Sequence, residues 1–174
     1  MITAFLLMKR ITLVALVSLL LVGSGCSKKK PEITSLQRKE AANLVNEAEF
    51  AIAIRDFPRA EGLMRQAAVH CPDNGSYWLN LGTLTRKSGK KSEAKSSYEK
   101  AVVAYADAYM AEPDNGKLLM RQMYAHALLG QFDQARAVLK KARAKHPKDP
   151  EVMSDDDSSF DRMLGDKAFK ELAI

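Results

Sequence analysis

A four-residue word occurs twice in this chain: Pro72-Asp73-Asn74-Gly75 returns letter for letter as Pro113-Asp114-Asn115-Gly116, and Pro147-Lys148-Asp149-Pro150 is a looser third copy. A word recurring at near-regular spacing points to one structural unit stacked on copies of itself. The interval from Pro113 to Pro147 is 34 residues, and that from Pro72 to Pro113 is 41, longer by seven. Seven residues are close to two helical turns, so an insertion of that size lengthens a helix and hardly rotates its apolar face. Proline cannot continue a helix, so each word closes one unit.

Within the units, small and bulky apolar residues recur at helical spacing. The middle unit has Trp78, Leu81 and Gly82 before a turn at Gly89, then Ala94, Tyr98 and Ala101. The third has Leu119, Gly130, Ala135, Leu139, Ala142 and Pro147. The first has Leu44, Ala48, Ala60, Met64, Ala67 and Pro72; it lacks the turn glycine and places Pro58 where a second helix begins. Ala and Gly suit places where two helices approach too closely for a larger side chain, and bulky residues fill the space between hairpins.

This arrangement resembles the tetratricopeptide repeat, whose pattern runs W-x2-L-G-x2-Y, a turn Gly, A-x3-F-x2-A and a late Pro; Thr85 stands here where the pattern has Tyr. The resemblance implies an all-α fold, a short right-handed α-solenoid of about three helix-turn-helix hairpins plus a C-terminal capping helix. The hairpins would fill residues 35–150, in units of about 41–74, 75–115 and 116–149, with an acidic linker and the cap in 151–174. Thr34 with Gln37 is expected to open the first helix as a capping box. Asp155-Asp156-Asp157-Ser158-Ser159 suits a helix start. Phe160, Leu164, Phe169 and Leu172 resemble the F-x-x-L-x-x-D-x-x-F-x-x-L ending of many such proteins, with Leu164 one place late, and are expected to cover the apolar end of the stack.

The first 30 residues follow different rules. Met8-Lys9-Arg10 is a basic start, Ile11 to Val22 is apolar, and Gly23-Ser24-Gly25-Cys26 supplies small residues before a cysteine. These are the parts of a secretory signal, with Met1 or Met8 as the initiator. The apolar run would rise only about 18 Å as a helix, against roughly 30 Å of bilayer core. The stretch from Leu21 to Cys26 resembles the lipobox of bacterial lipoproteins, although Gly23 stands where that family prefers Leu. It implies a signal peptide over 1–25, cleavage before Cys26 and a diacylglycerol on its sulfur, in the palmitate-carrying manner of lipoproteins. Ser27 resembles the class sorted to the outer membrane. The bare residues also allow an ordinary signal peptide cut nearby or an uncleaved anchor. Lys28, Lys29 and Lys30 then make a basic tether within 26–34, either a solvated spacer or a contact for anionic head groups.

The charge distribution weakens a nucleic-acid reading. The chain carries +6, but Lys9, Arg10 and Lys28 to Lys30 precede every acid, which leaves 22 basic against 21 acidic residues from Pro31 onward. So balanced a domain has little pull on a polyanion. Apolar residues at 47% suffice for a core, and sparse aromatics at 7% fit helix rather than sheet.

Catalytic chemistry is thin. His70 and His146 each fall just before a unit-ending Pro, where an imidazole suits a helix C-terminus. His126 falls where the repeat has an inward Tyr, a packed or bridging place. Cys71 has no disulfide partner once Cys26 is lipidated, and nothing at zinc spacing joins it to His70. There is no phosphate-binding glycine loop and no serine elbow. No enzyme activity, cofactor or metal is expected.

The family resemblance implies instead a groove lined by the first helix of each hairpin: Val45, Glu49 and Ile52, then Leu79, Thr83 and Arg86, then Met120, Tyr124 and Ala127. Such a groove suits an amphipathic helix or extended peptide; equally, some of these residues pack inward. Val45 and Glu49 stand where clamp-type members that grip chaperone C-termini have Lys and Asn, so that activity is not implied. The stripe Tyr98, Val102, Tyr105 and Tyr109 on the lengthened helix is either core for the next hairpin or a protruding docking edge. Arg86, Lys87, Lys90, Lys91 and Lys95 make either a solvated turn or a surface for acidic partners. The expected function is a membrane-anchored adaptor that binds another protein of the bacterial cell envelope, on the periplasmic face of the outer membrane. The alternatives are a self-associating structural lipoprotein, with a homo-oligomer, and an accessory subunit of an envelope enzyme.

Overall fold

Three hairpins close with the same two backbone hydrogen bonds. The computed structural model describes residues 32–154 and 156–174, and every regular element among them is a helix. The signal segment, Cys26, the lysine tether and Asp155 lie outside the described residues. The first hairpin is α1 (Ser35–Ala53) and α2 (Phe57–His70), the second α3 (Gly75–Lys87) and α4 (Lys91–Ala111), the third α5 (Gly116–Leu128) and α6 (Phe132–Lys145). Three short helices follow: α7 (Pro150–Ser154), α8 (Asp157–Gly165) and α9 (Lys167–Leu172). Each helix from α1 to α7 packs on its neighbours in sequence, so the architecture is an all-α solenoid of stacked hairpins.

At the tips of the hairpins Asp56 donates its backbone N–H to Ala51 (2.8 Å), Lys90 to Thr85 (2.9 Å) and Gln131 to His126 (3.0 Å). Arg55, Gly89 and Gly130 donate to Ile52, Arg86 and Ala127. This pair of bonds is the Schellman motif, which satisfies the last carbonyls of a helix and requires a left-handed residue. Gly89 (φ 78°) and Gly130 (φ 70°) supply it without penalty, whereas the first hairpin forces Arg55 to φ 62°. The missing glycine of the first unit therefore changed the residue and kept the turn.

Between hairpins the recurring word makes a second repeated turn. Asn74 donates its N–H to Cys71, Asn115 to Glu112 and Asp149 to His146 (3.0–3.1 Å), which places Pro at the second position of a four-residue turn, where its fixed φ is already correct. Asn74 and Asp149 also accept, through their side chains, from the backbone N–H of Ser76 and Glu151. The glycine that follows is needed for space: a β-carbon at Gly75 would lie 2.7 Å from the Tyr105 ring, and one at Gly116 would lie 2.9 Å from His146 and from Val152.

The lengthened helix is α4, at 21 residues against 14 in both α2 and α6. Its tyrosine stripe is core. Tyr98 and Tyr105 are buried, and Tyr109 meets the edge of His146 at 5.8 Å with a hydrogen bond of 3.1 Å to its Nε2. The extra turns thus reach the end of α6. At the hairpin crossings Ala48, Ala51, Ala60, Ala94, Ala101, Ala135 and Ala142 are wholly buried. Thr85, in the Tyr position of the pattern, is buried with its hydroxyl shared between the carbonyls of Leu81 and Gly82. Between the first two hairpins, the buried Glu61 takes Lys90 (2.8 Å) and Arg65 (3.0 Å), and Arg65 continues to Glu93 (2.6 Å). Burial alone would push the Glu61 carboxyl up, but the bonds from Lys90 and Arg65 outweigh it and hold it below the usual range. At the amino end, Thr34 and Gln37 close the capping box expected of them.

Two substitutions test these local arguments. Gly82 faces the ring of Tyr98, which has no room to retreat because it is itself wholly buried. Gly82→Ala should therefore lose stability despite the helix-propensity gain of about 1 kcal/mol, the overpacking term being about 1–3 kcal/mol; a raised urea midpoint would refute the close-approach account. Arg55→Gly should gain about 0.5–1 kcal/mol in the same measurement, since the strain removed exceeds the added chain entropy.

Candidate binding groove

The face formed by α1, α3 and α5 carries the nine residues expected to line a groove, and the structure gives them different surroundings. Met120 and Ala127 are buried in the core of the third hairpin. Val45 is half-buried against the core between the first two hairpins, near Tyr77. Glu49 and Ile52 stand exposed on α1. Leu79 bridges the second and third hairpins by packing against both cores, and its carbonyl accepts the Thr83 hydroxyl at 3.1 Å.

Arg86 and Tyr124 meet the segment that the sequence assigns to the end of the stack. The cap expected there is built from short helices, and they part company after Gly165. α7 and α8 cover the third hairpin: Val152 and Phe160 are buried in its core, Arg136 pairs with Asp161 at 2.5 Å, and its guanidinium lies 4.9 Å above the Phe160 ring. Asp166 then takes an extended conformation (φ −67°, ψ 137°), ends α8 and caps α9 by accepting the Phe169 N–H. α9 runs back to α3, one hairpin earlier. Phe169 is buried with its ring edge-on to Tyr124 at 6.0 Å, and Leu172 is half-buried against the same core.

The polar contacts of this tail are made by its main chain. The Tyr98 hydroxyl donates to the Leu172 carbonyl at 3.0 Å. Arg86 Nε donates to the Ala173 carbonyl at 2.8 Å. The Ile174 N–H donates to the Leu128 carbonyl at 2.9 Å, at the last turn of α5. Burial first, and Tyr124 with it, push the Tyr98 phenol up to about 12, while Thr83 and Arg86 on α3 pull the other way less strongly. Beside the tail lies an open hollow of about 520 Å³ bordered by Tyr124, Arg162, Met163, Asp166 and Phe169.

The remaining candidates settle into structural places. His126 bonds the turn through Gln131 at 2.7 Å, His146 takes Tyr109, and His70 sits 3.6 Å from Glu40. Cys71 is buried with its thiol toward the Gln37 carbonyl, and burial pushes its pKa up, the direction opposite to that of a reactive thiol. Of the basic cluster at the second turn, Arg86 holds the tail and Lys90 holds Glu61. Among the described residues no group of three His, Cys, Asp or Glu side chains is arranged to hold a metal ion, and no helix is long and apolar enough to cross a membrane. The tail's return to α3 had one sequence signal, the apolar spacing of Phe169 and Leu172, which says that the segment is buried but not where.

Residues 94–154 match the tetratricopeptide repeat family, a stretch from the first turn of α4 to the end of α7. The first hairpin lies outside the matched stretch yet repeats its turn bonds. Among solved structures, a tetratricopeptide-repeat domain of Arabidopsis OM64 is similar at 15% identity, covering 72% of this chain and 95% of that one with a TM-score of 0.44. No curated protein sequence matches the chain significantly.

The Tyr98 hydroxyl gives the site a pH signature. Its raised folded-state pKa means the stabilising contribution is fully present below the ordinary value of 10 and is lost as pH climbs through about 12. Spectrophotometric titration should show a tyrosine ionising late, near pH 12, and Tyr98→Phe should remove that late step and cost about 1 kcal/mol. Superimposable titrations of the native chain and Tyr98→Phe at high pH would contradict a buried, bonded hydroxyl.

Proposed function

We propose that this protein is a lipid-anchored adaptor of the bacterial cell envelope, which binds a segment of another protein along the face shared by α1, α3 and α5. The observation that carries the binding role is the stack of hairpins itself, with its family match over 94–154. A stack of this kind offers one row of side chains per first helix, and here Glu49 and Ile52 on α1 are exposed while Leu79 on α3 and Tyr124 on α5 are half-buried. The row combines apolar surface with one acid and one cation, which suits an amphipathic helix or an extended peptide. The envelope assignment rests on the sequence around Cys26, whose small residues and preceding apolar run resemble a lipobox.

Both halves are open to test in cells. A photo-crosslinking residue at position 52 should yield a discrete adduct with one envelope protein, and the same residue at Val103, exposed on α4, should not. Labelled palmitate should enter the native chain and be lost with Cys26→Ser. Adducts at both positions or at neither would sink the binding face, an adduct of twice the chain's mass would favour self-association, and label persisting in Cys26→Ser would remove the anchor.

A further inference from the structure

The feature that the adaptor reading leaves unused is the course of α9. Capping the stack does not require it. α7 and α8 already cover the third hairpin through Val152, Phe160 and the Arg136–Asp161 pair, whereas α9 passes beyond that end and lies on α3. A six-residue helix has almost no stability of its own, so α9 exists because the groove holds it. Its hold is that of a ligand rather than of a core element. Two apolar side chains three residues apart, Phe169 and Leu172, enter the groove, and three hydrogen bonds are made by main-chain groups of residues 172–174. Main-chain bonds can be reproduced by any peptide whose backbone takes the same course. A single extended residue, Asp166, joins α9 to the anchored α8, and a β-carbon at Gly165 would point into open space. Departure of the tail uncovers the part of α8 it rests on but leaves the Val152, Phe160 and Arg136–Asp161 contacts in place.

We infer that residues 166–174 are a resident ligand of the groove, exchanged for a partner segment of the same chemistry. That segment is a short helix carrying an aromatic residue and, three positions later, a leucine, followed by extended backbone. The Tyr98 hydroxyl and Arg86 define the requirement. The Tyr98 side chain is wholly buried and its hydroxyl is bonded to the Leu172 carbonyl; once the tail departs it must be given another acceptor or pay for losing one. A partner that brings an aromatic and a leucine but cannot present carbonyls at these two places is rejected. This inference rests on the adaptor reading for its biological partner but not for its physics, because the exchange is a property of the purified chain. While the tail is bound, a competing segment sees only the open fraction of the groove, and its apparent affinity falls by that fraction.

The test uses the full-length chain in detergent and a fluorescent peptide with the sequence of residues 165–174 as probe. Phe169→Ala with Leu172→Ala weakens the resident tail. This variant should bind the probe at least about tenfold more tightly than the native chain, and adding Arg86→Ala should weaken that binding about fivefold. Equal binding to native and tail-weakened chains, or binding insensitive to Arg86, overturns the proposal. Concentration-dependent dimers of the tail-weakened chain do so too, by making a second copy the occupant. Circular dichroism shows whether the variant folds. If it does not, hydrogen exchange of the native chain decides. Amides at 169–174 exchanging at least about tenfold faster than those of α8 support a detachable tail, and exchange of both only on global unfolding overturns it. Failure here with a position-52 adduct intact leaves the adaptor standing. A bound probe without any adduct does the reverse.

Discussion

Everything in this stack depends on helices coming together where at least one of them carries no more than a methyl group. Ala48, Ala51, Ala60, Ala94, Ala101, Ala135 and Ala142 have no exposed surface, and Gly82 leaves the space that the Tyr98 ring fills. Close backbones place the bulky residues of one hairpin against the next, so Met64, Leu81, Leu119 and Leu139 are buried in cores that adjoining hairpins share. Enlarging one crossing would tilt its hairpin, and the tilt would pass to each later unit. The same constraint explains why glycine follows Pro-Asp-Asn: the second helix of the hairpin, or the helix after it, lies against the start of the first.

The repeat was legible because its marks are local. Prolines that end helices, glycines that turn them and alanines at crossings are each read from one or two neighbouring residues. The seven extra residues of the middle unit were legible as a longer helix for the same reason, since they preserve the apolar face. Two features were not. Nothing adjacent to Arg55 announces a left-handed residue; the turn geometry imposes it, because α2 must begin where it does to place Ala60 against α1. The fate of the tyrosine stripe was also undecided until the end of α6 was seen to reach Tyr109.

The groove was legible only as a row of positions. The family resemblance names Leu79, Arg86 and Tyr124 together on the first helices, but burial of Met120 and Ala127 depends on how far the third hairpin is rotated against the second, which no local pattern encodes. The tail is the extreme case. Its hydrogen-bond partners on α3, α4 and α5 lie between 46 and 87 residues away in sequence, and pairing over such distances is decided by three-dimensional fit.

The tail also shows why Tyr98 is more than a core residue. Its ring packs against the glycine that sets the α3–α4 crossing, and its hydroxyl bonds the backbone of the segment lying in the groove. One side chain therefore touches both the constraint that builds the stack and the surface that the stack presents. A phenylalanine, which the repeat pattern prefers at that position, would satisfy the crossing equally well and leave the tail's carbonyl without a donor. The hydroxyl is influenced by Thr83 across the hairpin and bonds the tail's main chain, so it links the hairpin to what occupies the groove.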